Sequence, residues 1–232
     1  MEGLPGYVSW AFILTTFLTI GFFLFAFRQA GLNGKFLIIL SITLAFFLAV
    51  DAALALSGFF LVTNTVPPRF ILAPAPTTIA LIVLCLIFVR DKLSVSALRT
   101  LTLLHVIRVP VETVLLLLFQ NGFVPQLMTF EGSNFDVLSG LSAPLIAWLA
   151  FRGGKINQPL LVVWNLLAFG LLINIVACAV LSLPAPFARF GFEQPNRAIL
   201  YFPFIWLPAI IVPVVFVAHL LSFWQLAKVN RR

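Results

Sequence analysis

Residues 97–119, ALRTLTLLHVIRVPVETVLLLLF, place the tightest limit on what this chain can fold into. The stretch is apolar enough to cross a bilayer, which takes about 20 residues of helix. Yet it holds His105, Arg108 and Glu112, with Pro110 between the two charges. Ionisable groups inside hydrocarbon are expensive and mark function by default. No other apolar stretch of the chain holds more than one.

Six further runs qualify as spans: 8–27, 37–60, 70–89, 136–151, 160–183 and 200–226. All seven are continuous rather than alternating, which points to helices and excludes the strands of a barrel. With 62% hydrophobic and 9% charged residues and a mean hydropathy of +1.14, the chain cannot cover itself with a solvated surface. Soluble domains carry roughly a quarter charged residues. The expected fold class is an all-α membrane protein with seven transmembrane helices in a single domain over residues 1–232. The first run is too long for the apolar core of a signal peptide, and Glu2 stands where basic residues would, so this run is expected to remain as a span. The run 136–151 is the shortest, and residues 128–135 before it either extend it or form a re-entrant piece.

The formal charge of +7 sets orientation; it is not a nucleic-acid patch. One set of connections holds Arg28, Lys35, Arg90, Lys92, Arg99, Arg152, Lys155, Lys228, Arg231 and Arg232, and the opposite set only Arg69, Arg189 and Arg197. Basic residues stay on the cytoplasmic side. The N-terminus is therefore expected outside and the C-terminus inside. The acids lean the other way: Glu2, Glu131, Asp136 and Glu193 fall outside and Asp91 inside. The first inner loop, RQAGLNGK, resembles the third, RGGKINQ, and two outer loops share Pro-rich sequences. This suggests a 3+1+3 arrangement, two triplets of like orientation joined by the fourth helix, as in transporters built of parallel repeats. Generic loop composition explains the same likeness.

His105, Arg108 and Glu112 are spaced i, i+3, i+7 and share one helix face. Arg108 and Glu112, four apart, are expected to neutralise each other. Pro110 has no N–H, so the Val106 carbonyl loses its usual partner and a kink is expected there. Counting helix rise from the inner ends puts Asp51 and Asn174 near the depth of Glu112. Asp51, Arg108, Glu112 and Asn174 thus form a candidate ligand-binding cluster for a solute or ion. His105 and His219 share a depth in the inner third. They suit a b-type haem or a proton relay, or are two unrelated packed side chains. In the outer loop 120–136, Glu131, Asn134 and Asp136 are candidates for a lid or re-entrant segment, though their spacing is not that of a calcium loop.

Other chemistry is excluded. Cys85 and Cys178 fall within apolar runs and read as small buried hydrophobes rather than disulfide or metal ligands. The run 200–226 has no lysine for a retinal Schiff base, and HExxH, P-loop and GxSxG motifs are absent. The leading expectation is a protein of a bacterial-type cytoplasmic membrane, with the lipid bilayer and a small solute or ion as its partners, that binds and moves that solute or ion. A haem protein, a membrane enzyme acting on a lipid or isoprenoid with Glu112 or Asp51 as acid or base, and a structural subunit are the alternatives.

Overall fold

A computed structural model describes residues 1–65, 68–89, 93–154 and 156–229. The basic residues Arg90, Lys92, Lys155, Arg231 and Arg232, with Asp91 and Pro67, lie outside the described residues. Among the described residues eight α-helices carry the fold: α1 (Gly6–Gln29), α2 (Gly34–Leu56), α3 (Pro74–Phe88), α4 (Val95–Leu104), α5 (Arg108–Gln120), α6 (Val137–Ala150), α7 (Gln158–Leu181) and α8 (Val212–Val229). No strand occurs among the described residues. Among the described residues, six segments are long and apolar enough to cross a membrane: Gly6–Gln29, Gly34–Leu56, Arg69–Phe88, Val95–Gln120, Gln158–Leu181 and Leu207–Lys228. Leu14, Ile42, Ile79, Leu141 and Leu167 are large, apolar and exposed on five different helices. This is the surface of a helical protein embedded in lipid, where apolar exposure carries no penalty.

Three helices, α2, α4 and α7, start at polar caps. The Asn33 side chain accepts from the Phe36 N–H at 2.9 Å, Ser94 from Ala97 at 3.1 Å, and Asn157 from Leu160 at 3.3 Å. Each cap satisfies an N–H that the helix cannot. On α1 the buried Thr15, Thr16 and Thr19 hydroxyls each donate to the carbonyl four residues back. An otherwise apolar helix thereby buries three polar side chains with none left unpaired.

Two of the runs break where prolines stand. The fourth run, Val95–Gln120, is not one α-helix: α4 and α5 are joined by a 3₁₀ turn at His105–Ile107. Pro110 supplies no N–H for the Val106 carbonyl, and the tighter turn absorbs the defect. The seventh run, expected from residue 200, begins later. A turn covers 201–205 and a π-helical turn spans Leu207–Ile211 before α8. Pro203, Pro208 and Pro213 remove the N–H groups that a regular ladder would use. Helix α8 also runs on to take in Lys228, whose ammonium lies over the Trp224 ring at the far end of the helix.

The Val95–Gln120 segment is the axis of the molecule. Helix α1 packs along both its halves, α6 lies on α4 and the 3₁₀ turn, and α8 touches α4. Helix α6 comes unusually close. A Cβ on Gly140 would lie 2.8 Å from Val109 Cγ2 and 3.0 Å from the Val109 nitrogen. Ala143, Ala147 and Ala150 continue the buried face of α6. Small residues at such a contact let two backbones approach in lipid. The connection before α6 folds inward rather than lying over the top. Thr129, Asn134 and Asp136 in it are buried, whereas Glu131 is exposed. At Gly132 a Cβ would sit 2.4 Å from the Gln126 carbonyl oxygen, so only glycine fits this fold of the loop.

Candidate functional site

The 3₁₀ turn delivers Arg108 to the middle of Val95–Gln120, with its side chain buried. Its guanidinium faces the inner sides of α6, α7 and α8. Nη1 donates to Asp136 Oδ1 in a buried ion pair and to the Ala168 carbonyl at 2.9 Å. Nη2 donates to His219 Nε2 at 2.7 Å. Nε–H is buried without a partner.

Arg108 and Glu112 do not pair with each other. Glu112 instead accepts at Oε1 from Asn134 Nδ2, and its Oε2 is buried and unpartnered. The i, i+4 expectation fails because the inturned loop brings its own partner to each charge. Asn134 holds that loop rigid: Nδ2 also donates to the Met128 carbonyl at 2.9 Å, and Oδ1 accepts the Asp136 N–H at 3.0 Å. Asp136 stands at the start of α6 but does not cap it, since its carboxylate is committed to Arg108. The candidate lid is thus split. Asn134 and Asp136 line the interior and Glu131 takes no part.

The two histidines stack ring on ring, with centroids 4.2 Å apart and planes at 35°. His219 uses both nitrogens. Nε2 accepts from Arg108, so Nδ1 carries the proton and donates to Asn165 Oδ1 at 2.7 Å; the tautomer follows from the partners. Asn165 Nδ2 returns to the His219 carbonyl at 3.3 Å. His105 has no hydrogen-bond partner on either nitrogen and meets the Trp164 ring edge-on at 5.3 Å. This arrangement does not fit a haem. No space for a porphyrin separates the rings, and neither His219 nitrogen has a free lone pair.

Two other sequence candidates fall away from the cluster. Asn174 is exposed on α7 and donates to the Ser133 carbonyl at 2.9 Å. Asp51 is buried on α2, Oδ2 unpartnered, and is not among the groups bonded to Arg108 or Glu112. From α7, Asn165 joins the cluster instead. The signal for it was present: Asn165 lies near the inner start of its run, at the depth already assigned to His219.

Beside Arg108 and Glu112 lies a cleft of about 100 Å³. Among the described residues, Asp136 is the only other ionisable one on its wall. The rest is apolar, including Val111, Leu115, Leu172, Val176, Ile211 and Val215. Helix α5 packs on α1 and α6, and the cleft lies between its other face, α7 and the π-helical turn. Val176, Val180 and Val212 at its edge are half-buried, so the cleft opens to the surface.

A family model described as "Domain of unknown function (DUF8737)" matches residues 66–227. The chain belongs to this family. The DUF8737 region contains every residue bonded in the cluster, from Arg108 to His219, and His105 as well, whereas Asp51 falls before it. No curated protein and no solved structure matches the chain.

Proposed function

We propose that the protein is a seven-helix carrier of a bacterial cytoplasmic membrane, N-terminus outside, that binds and moves a small solute through the cleft beside Arg108 and Glu112. One observation carries this reading. Two buried hydrogen-bonding atoms without partners, Arg108 Nε and Glu112 Oε2, belong to lining residues of one cavity whose wall, apart from these two and Asp136, is apolar. Leaving a buried donor or acceptor unmade costs about 1–3 kcal/mol each. A ligand that meets both recovers that free energy. The apolar wall argues against a hydrated ion, which would find little there to replace its water.

The 3+1+3 arrangement has support in the packing. The first helices of the two triplets, α1 and α6, both flank α4, and the last helices, α3 and α8, pack on each other. A membrane enzyme acting on a lipid or isoprenoid draws on the same site, since Glu112 Oε2 is a carboxyl oxygen beside an apolar cavity. Recovery of the bound molecule chemically unchanged after prolonged incubation separates a carrier from an enzyme.

The test is an experimental map of the protein purified with its native lipids. Non-protein density is expected in the cleft, ending at Arg108. It should vanish in Leu172→Trp, which fills the cavity and leaves both polar groups in place. An empty cleft in the parent protein would end this reading. Orientation is tested separately: a C-terminal tag should be protected in intact cells, and one inserted at Glu131 accessible.

A further inference from the structure

We propose that a second cavity, between α3 and α8, is a site for one anionic phospholipid, with an acyl chain in the cavity and the headgroup phosphate at Lys228. This site shares no residue with the cleft beside Arg108 and needs only that the chain sits in a bilayer.

The walls select the tail. A cavity of about 60 Å³ lies where the two helices pack. Ile82, Cys85 and Leu86 of α3 and Val89 just after it line one side, spaced i, i+3, i+4, i+7. Val217, Leu220, Leu221 and Trp224 of α8 line the other at the same spacing. That spacing is one face of a helix, and each stripe is about 10 Å long. Every wall residue is apolar, so a polar solute finds nothing there to replace its water. Leu86 and Trp224 are exposed, and Ile82 and Leu220 are half-buried, so the furrow opens to the surrounding lipid. The apolar segment that a bilayer supplies at such an opening is an acyl chain. The cavity is well short of the roughly 150 Å³ of a dry cavity that takes up benzene. It admits a short length of a single chain, and the rest stays in lipid. A second transmembrane helix would meet large side chains where close helix contacts in lipid use small ones.

The end of the α8 stripe selects the head. Lys228 comes four residues after Trp224, on the same helix face. Its ammonium lies 5.4 Å from the centre of the Trp224 ring, which is itself part of the cavity wall. Lys228 also closes the apolar span Leu207–Lys228, the level at which tryptophan and lysine meet headgroups. The sequence adds charge of the same sign. Arg90 and Lys92 stand between the wall residues Val89 and Leu93, and Arg231 and Arg232 follow α8, against the single acid Asp91. These five lie outside the described residues and count here by sequence alone. This end of the bundle is the one read as cytoplasmic, where anionic lipids gather. A head with net negative charge complements it. A zwitterionic head would bring a cation of its own up to Lys228.

The test is native mass spectrometry of the full chain released from nanodiscs. These hold equal parts of phosphatidylglycerol and phosphatidylcholine with identical acyl chains. One phosphatidylglycerol per chain is expected to stay bound, favoured about fivefold or more, the worth of one basic residue at a charged membrane surface. Lys228→Gln should remove most of that preference. Arg152, just beyond α6, lies over the Trp148 ring in the same way, and Arg152→Gln should leave the preference unchanged. Cys85→Leu fills the cavity and should release the bound lipid, with thermal unfolding showing that the variant is folded. Should it fail to fold, the comparison of Lys228→Gln with Arg152→Gln decides alone. Inorganic phosphate, which has no chain, and oleate, which has no phosphate, should not displace the lipid. Equal retention of the two lipids by the parent, or an equal effect of Arg152→Gln, would overturn the site. So would retention unchanged in folded Cys85→Leu, or displacement by phosphate or oleate.

Discussion

Arg108 has two sides, and they are built on opposite plans. On one side its Nη2 meets His219, which meets Asn165, while His105 stacks on His219, so rings fill the space. Its Nε meets nothing, and neither does Glu112 Oε2, although both residues line the cleft. One side spends its polar atoms on holding helices together; the other keeps two in reserve. Burial alone therefore does not mark a site in this molecule. His105 is as buried as any residue and has two unused nitrogens, but it is walled by His219 and Trp164 rather than by an open cleft. The distinguishing mark is an unpartnered polar atom together with room beside it.

The difference can be broken most forcefully at the ion pair that serves both sides. Asp136→Ala leaves the guanidinium buried and uncompensated, a loss of about 3–5 kcal/mol. Arg108→Met combined with Asp136→Ala should recover much of it, because an apolar replacement of a buried pair is often tolerated. Thermal unfolding of the single and double variants measures the recovery. A double variant no more stable than Asp136→Ala would remove the pair as the organising contact. Next comes the close approach that presents Asp136. Gly140→Val drives a side chain into Val109 and should cost about 1–3 kcal/mol by overpacking. Unfolding temperature and the yield of folded protein report it.

The two histidines then sharpen the contrast. His219→Leu strands an Arg108 N–H and the Asn165 carbonyl oxygen, and should cost about 1–3 kcal/mol. His105→Leu removes no hydrogen bond, and should stay within about 1 kcal/mol of the parent or gain stability. Equal losses from the two, measured by the same unfolding curve, would mean that the inner stack and not its hydrogen bonds is what matters. The smallest effect belongs to Asn174→Ala. The side chain is exposed, and its loss should change stability by no more than about 0.5 kcal/mol and leave ligand binding intact. A binding defect there would return Asn174 to the site.

Much of this was legible in the chain itself. Continuous apolar runs announced helices in lipid, and His105, Arg108 and Glu112 announced where polar chemistry would gather. Pro110 announced the break at Val106. The partnerships were not legible, for a physical reason. Periodicity describes one helix face, and on that face Glu112 is the neighbour of Arg108. The partner it takes instead is 28 residues away, on a loop that turns back into the bundle because Gly132 and Asn134 let it. Depth counting likewise places residues along the membrane normal but not around a helix. It put Asn174 at a plausible level on a surface that looks outward, and passed over Asn165, which faces in.

The brevity of α6 has a consequence for the lipid itself. Fourteen residues of helix reach about 21 Å, against a hydrocarbon core of about 30 Å. Such a mismatch is met by local thinning of the leaflet, at a fraction of a kcal/mol per ångström. Along the α6 flank headgroups should dip toward the midplane, while beside the 24-residue α7 they keep their usual height. Were α6 to cross the bilayer, it would draw a shallow dimple on that flank, and a thinner bilayer would suit the protein better than a thick one.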